Sequence, residues 1–223
     1  MIQRELLGSA QVPGGTELRL FRHDRDFMIV MGHNELMSSR MSGSEVALAT
    51  ETIRRLPERP DPRLLIGGYG MGFTLRAALA ALGPLAEVVV AELVPEIIAW
   101  ARGPMAELAA GCLDDPRVRL LMGDVGTTID GARGDYDAIL LDVDNGPDGV
   151  VREGNDSLYT ASGLRAAHRA LRPGGVLAVW SAGPDAAFAR RLEKNGFMVD
   201  EMRVAARTNG KGPKHTIWFA VPR

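Results

Sequence analysis

A chain of 223 residues with 46% apolar side chains is long and apolar enough for one large domain with a buried core, which excludes intrinsic disorder. The net charge of −2, with acids and bases interspersed, gives no electrostatic footprint for nucleic acid or for an anionic membrane surface. A single cysteine, Cys112, excludes an intrachain disulfide, and four scattered histidines leave no metal-ligand spacing. No apolar run reaches the ~20 residues of a membrane span, and an acid and glycines stand where a signal peptide would be apolar, so a cytoplasmic protein is expected.

In chain order, residues 1–40 read as a small N-terminal β-hairpin region. Residues 16–22 partly alternate, 23–26 form a polar turn, and 27–31 return as a second strand. The remainder, 41–223, reads as a nucleoside-binding domain. Its first helix starts at a capping box, with Ser42 as N-cap and Glu45 at N3, and runs to about residue 56. The Pro-rich segment 58–62 stops it. Strands are then predicted at 63–67, 86–91, 117–122, 137–142 and 175–180, and helices at 72–82, 95–110, 157–171 and 184–195. That alternation is the signature of a parallel sheet covered on both faces. Two final strands, 198–204 and 215–221, have no helix between them. The fold class is therefore α/β, a doubly wound and mostly parallel seven-stranded sheet of the methyltransferase-like Rossmann kind.

The chemistry centres on residues 64–92. An apolar run leads into Gly67-Gly68-Tyr69-Gly70-Met71-Gly72, an Ala/Leu helix follows, and a second apolar run closes on Glu92. Gly68, Gly70 and Gly72 let backbone approach a ligand, the helix N-terminus offers free N–H groups, and Glu92 can accept from both ribose hydroxyls. The dinucleotide fingerprint requires a glycine where Phe73 stands, which argues for an adenosine cofactor other than NAD. Asp124 reads either as an acceptor for an exocyclic adenine amine, with Val125 against the ring, or as a turn-forming aspartate. Asp142 closes a strand buried on both faces, so its carboxylate needs a partner; it reads as a site acid or as a structural cap. Asp144, Asp148, Glu153 and Asp156 follow, a funnel for a cationic substrate or a solvated surface. Trp180 closes the fifth strand beside the site. Arg207, Lys211, Lys214 and His215 lie on or beside the last loop, as a lid, a carboxylate clamp or a solvated turn. His33 reads as a surface turn residue and His168 as structural.

Together the glycine turn with Thr74-Leu75-Arg76, Glu92, Gly123-Asp124, the run from Tyr136 to Asp142, Leu158-Tyr159 and Leu171-Arg172-Pro173-Gly174-Gly175 resemble the spermidine synthase family of aminopropyltransferases. More loosely, the chain is similar to class I S-adenosylmethionine-dependent methyltransferases. The resemblance implies a transferase of polyamine biosynthesis that moves an aminopropyl group from decarboxylated S-adenosylmethionine to an amine, leaving methylthioadenosine. It places Glu92 on the ribose, Asp124 and Val125 at adenine, and Asp142 at the attacking amine, with Asp144 as a second catalytic acid. Glu35, at the position of an early glutamine, Asn145 and Tyr159 are implied at the substrate. A small cationic amine is the implied partner, with no nucleic acid, no membrane and no metal, and a homo-oligomer, a dimer in the family, is expected. The sequence also departs from the family pattern. Met71 replaces the aspartate that greets the donor's ammonium, Asn145 stands at the second acid after the fourth strand, and Gly43-Ser44-Glu45 replaces Tyr-His-Glu. The donor is therefore decarboxylated or intact S-adenosylmethionine. The alternatives are a small-molecule methyltransferase and a non-catalytic nucleoside-binding homologue.

Overall fold

The computed structural model describes residues 4–143 and 156–223. The chain opens with an antiparallel sheet of β1 (Glu5–Gln11), β2 (Glu17–His23), β3 (Asp26–Met31) and β4 (Asn34–Ser38), paired in sequence order. The hairpin read from the sequence is β2 and β3; two further strands flank it. On β2, Leu18 and Leu20 are buried while their neighbours are not, the period of a half-buried strand. No such period marks β1, which shifts register between Leu6 and Gly8. There the Trp100 indole packs so closely that a Cβ on Gly8 would lie 2.7 Å from its Nε1.

Helix α1 (Gly43–Arg54) leads into the main sheet of β5 (Arg63–Gly67), β6 (Glu87–Glu92), β7 (Val118–Met122), β8 (Tyr136–Leu141), β9 (Leu171–Ser181), β10 (Phe197–Ala205) and β11 (Lys214–Pro222). The order is β10-β11-β9-β8-β5-β6-β7, with β5 through β9 mutually parallel and β11 antiparallel to both of its neighbours. This is the expected mostly parallel seven-stranded sheet. Its continuous apolar strands follow from cover on both faces: all six residues of β8 are buried. Leu64, Ile66, Val88 and Leu140 pack into one core, and Leu65, Val89, Ile139 and Leu141 into the other.

The covering helices are α2 (Phe73–Ala81), α3 (Pro95–Arg102), α4 (Ala106–Ala109), α5 (Val125–Gly131), α6 (Asp156–Tyr159), α7 (Ala161–Ala170) and α8 (Ala186–Lys194). Two predicted helices are each split. The one read over 95–110 breaks at Gly103, which precedes Pro104 and leaves the helical region at φ −108°, ψ −107°. The one read over 157–171 restarts at Ala161, where the Thr160 hydroxyl accepts from the Gly163 N–H. Helix α5, which the sequence reading passed over, is capped by Asp124. Among the described residues no helix is long and apolar enough to cross a membrane, and no cluster of His, Cys, Asp and Glu suits a metal ion.

The capping box read at the start of α1 does not form. Ser42 makes no side-chain cap bond, and Glu45 accepts instead from the Ser44 hydroxyl at 2.6 Å. The helix entry is fixed by tertiary contact: the Gly43 N–H donates to Ala206 O at 2.8 Å, and a Cβ on Gly43 would lie 2.7 Å from the Arg207 carbonyl carbon. With its entry secured from outside, the first turn leaves the Glu45 carboxylate free to turn elsewhere.

At the opposite end of β8, Asp137 is buried and accepts from the Arg63 N–H and from Arg172, both at 2.8 Å, with Arg59 Nε 3.0 Å away. Removing a carboxylate with charged partners costs more than losing a neutral hydrogen bond. Asp137→Asn is expected to destabilise the fold by ~1.5–3 kcal/mol without changing ligand affinity, measured by denaturant unfolding beside a ligand titration. An unaltered unfolding midpoint would show this cluster to be dispensable.

Candidate active site

The turn after β5 is shaped by what presses on it. The Gly68 N–H donates to Ala91 O at 2.8 Å, and its φ of +82° would strain any side chain. A Cβ there would also stand 2.8 Å from Asp142 O, so the glycine lets the ends of β5 and β8 close together. Gly72 serves differently: at φ +77° it caps α2 beneath the Tyr69 ring. Gly68 and Gly70 line a cleft with Glu92, Asp124, Val125 and Asp142; Gly72 does not. The cleft encloses about 810 Å³ counting its open mouth. Leu18, Ile29, Met31 and Leu36 of the N-terminal sheet form an apolar wall over it.

Glu92 is 6% exposed. Its two oxygens accept from the Tyr69 N–H at 2.9 Å and the Val94 N–H at 2.8 Å. The Leu93 and Gly70 N–H groups also favour its charged form, so the carboxylate sits among backbone donors in the wall of the cleft. Burial pushes its pKa up against these backbone N–H groups. Asp124 forms the turn: Oδ1 accepts from the Gly126 N–H at 2.6 Å to cap α5, and the residue also lines the cleft beside Val125.

A second cleft, of about 1010 Å³ with its open mouth, adjoins the first and shares Leu36, Met37, Gly70, Asp142 and Val143 with it. Its acids are Glu35, Glu45 and Asp142, and no Lys or Arg is among its described lining residues. Met71, 4% exposed, Phe73 and Trp180 supply apolar wall. The Thr74 hydroxyl donates to Asp142 Oδ2 at 2.9 Å. Burial pushes the Asp142 pKa up to about 6, against this hydrogen bond. Burial, and then the Asp142 charge, pushes Glu45 up to about 7, so the two take up protons as a pair.

Of the residues read from the sequence, Gly68, Gly70, Glu92, Asp124, Val125 and Asp142 meet in the first cleft, and Glu35 and Asp142 in the second. Tyr159 lines neither: it is buried edge-on against Phe188, with ring centroids 5.6 Å apart. Asp144, Asn145, Asp148 and Glu153 lie outside the described residues. Arg207, Lys211 and Lys214 are exposed and line neither cleft, whereas His215 lines the second. Sequence reasoning assigned Glu45 to a cap, and by resemblance to the family's Tyr-His-Glu position, without giving it a place in the site; it gave Thr74 no role, although its position in the first turn after the glycines is the signal that finds it.

A spermine/spermidine synthase domain is recognised over residues 48–188. The chain is 32% identical over 126 residues to the polyamine aminopropyltransferase of Korarchaeum cryptofilum, covering 56% of this chain and 37% of that one. It is 34% identical over 146 residues to polyamine aminopropyltransferase 2 of Pseudomonas aeruginosa, covering 60% and 39%. To putrescine N-methyltransferase 4 of Nicotiana tabacum it is 30% identical over 178 residues, covering 78% and 42%. The chain thus spans less than half the length of these curated relatives. The solved spermidine synthase of Thermotoga maritima superposes with a TM-score of 0.76 at 20% identity, covering 96% of this chain and 71% of that one, and so shares its fold. The recognised segment runs from α1 into α8 and carries the glycine turn, Glu92, Asp124 and Asp142. By that match over more than half its length, the chain belongs to the spermine/spermidine synthase family.

Proposed function

We propose that this chain transfers an aminopropyl group from decarboxylated S-adenosylmethionine to a small cationic amine. The observation that carries this reading is the meeting of two unlike clefts at Asp142. One has an apolar wall and the acids Glu92 and Asp124, suited to a nucleoside; the other has three carboxyl groups and no described Lys or Arg. A donor in the first cleft would bring its sulfonium towards the shared residues Gly70 and Asp142. The amine lone pair attacks the methylene carbon next to sulfur, the C–S bond breaks, and methylthioadenosine leaves as a neutral thioether. The sulfonium is already a good leaving group, so the protein chiefly positions two reactants. Asp142 takes the amine proton.

The direct test is to incubate the chain with decarboxylated S-adenosylmethionine and 1,4-diaminobutane. Methylthioadenosine and aminopropylated amine are expected in equal amounts; no transfer to any diamine overturns the reading. A second reading, transfer from intact S-adenosylmethionine, is favoured by Met71. An aspartate at that position would pair with the donor's ammonium and repel a neighbouring carboxylate. Two like charges about 4 Å apart cost ~1 kcal/mol in water and ~4 at an effective dielectric of 20. Met71→Asp is therefore expected to shift preference towards the decarboxylated donor by roughly 1–3 kcal/mol, read from calorimetric titration of both donors at one salt concentration. If wild type binds the intact donor as well or better, methyl transfer, the activity named for the Nicotiana tabacum relative, moves ahead.

A further inference from the structure

The second cleft has a polar wall at Ser44, Glu45 and His215. Behind Glu45 stands Ser44, fully buried, whose hydroxyl lies 2.6 Å from Glu45 Oε2 and 2.8 Å from His215 Nδ1. A hydroxyl has one proton, and once Glu45 is ionised its carboxylate can only accept it. Ser44 must then accept from the imidazole, so Nδ1 carries hydrogen and Nε2 is left as an acceptor on a ring that lines the cleft. Burial pushes the His215 pKa down, in the direction of the neutral ring. Trp180 packs edge-to-face on that ring with centroids 4.7 Å apart. Trp180 is itself 9% exposed and lines the cleft, and its buried Nε1–H has no acceptor among the described residues.

The two acids point to what that occupant carries. Glu45 and Asp142 repel one another, and a single ammonium group between them relieves that repulsion. The other titratable groups of the cleft are Glu35, the Tyr69 hydroxyl, which faces Cys112 Sγ at 3.5 Å, and His215, whose cationic form burial disfavours. The first turn of α1 also favours the ionised form of Glu45 through its free N–H groups.

We propose that Glu45 is the second carboxylate of the acceptor site, holding with Asp142 the reacting amine end of a linear diamine, and that Ser44 and His215 are its positioning residues. This rests on the reading of the chain as a transferase to an amine. A cation at the pair favours both ionised forms, so binding the diamine near neutral pH releases protons.

The test titrates 1,4-diaminobutane calorimetrically into the chain saturated with methylthioadenosine, in two buffers of different ionisation enthalpy. Glu45→Gln is expected to weaken diamine binding at least ~tenfold and to cut the proton release well below that of wild type, with methylthioadenosine affinity unchanged. His215→Ala is expected to weaken it several-fold, and His215→Asn, which can still donate to Ser44, to restore most of the loss. Wild-type diamine affinity and proton release in Glu45→Gln overturn the proposal, as does a wild type that binds no diamine at millimolar concentration. Transfer assays run beside the titrations separate it from the reaction itself. Glu45-dependent diamine binding without transfer from either donor removes the reaction and keeps the site; transfer indifferent to Glu45→Gln removes Glu45 and keeps the reaction.

Discussion

Asp142→Asn is expected to lower turnover by ~10²-fold or more while methylthioadenosine affinity stays within a few-fold of wild type, the usual scale for loss of a general base. The substitution is a clean probe because of Thr74. Its hydroxyl donates to Asp142 Oδ2, and an asparagine carbonyl can accept the same bond without moving the chain. What is lost is the capacity to take a proton where the two clefts meet. The pH profile gives an independent reading. Burial holds the Asp142 pKa up at about 6, so its base form is depleted below that value, and kcat/KM is expected to decline as pH falls through it. In Asp142→Asn the residual rate should lose that dependence. Turnover within a few-fold of wild type would make Asp142 structural and move the base to Glu45 or Asp144.

How far the sequence discloses this site depends on whether each signal is local. The run from Tyr136 to Leu141 predicts a doubly covered strand, since only such a strand tolerates six consecutive buried residues. The glycine turn predicts a close approach, and Gly68 does stand against the backbone of Asp142. Glu45 was misread for the opposite reason. Ser42 and Glu45 satisfy the local pattern of a capping box, but Ala206 and Arg207, distant in the chain, fix that helix entry, and Ser44 with His215 draws the carboxylate into a cleft. Local pattern lost to tertiary contact. The N-terminal sheet shows the same limit. Its hairpin is legible from alternation, yet nothing in residues 16–31 says that Leu18, Ile29 and Met31 wall a cleft of the main domain. Strand β1 is hidden further by its register shift at Gly8, a residue placed by Trp100 of α3. Tyr159 follows a quoted motif into the core against Phe188 rather than into a cleft, because the motif records chain position and not direction.

Glu92→Gln and Glu92→Ala are expected to weaken methylthioadenosine binding by at least tenfold. Two hydrogen bonds from ribose hydroxyls to an ionised carboxylate are lost or reduced, each ~1.5–3 kcal/mol. The effect of glutamine extends beyond the ligand. Both Glu92 oxygens already accept backbone N–H groups, from Tyr69 in the glycine turn and from Val94 at the start of α3. An amide can accept from one of these only by turning its NH2 towards the other, so donor faces donor in a buried setting. That mismatch costs ~1–3 kcal/mol, and a lower thermal midpoint is expected alongside the lost affinity. The sign with pH is also fixed. Burial raises the Glu92 pKa above its ordinary value, while ribose hydroxyls favour the charged form. Nucleoside affinity is therefore expected to rise with pH above the ordinary carboxylate range in wild type and to lose that dependence in Glu92→Gln. Calorimetry across pH, with a thermal melt of each variant to establish folding, reads all three effects. Unchanged methylthioadenosine affinity in a folded Glu92→Ala would remove the acid from the ribose and leave it only the work of tying the glycine turn to α3.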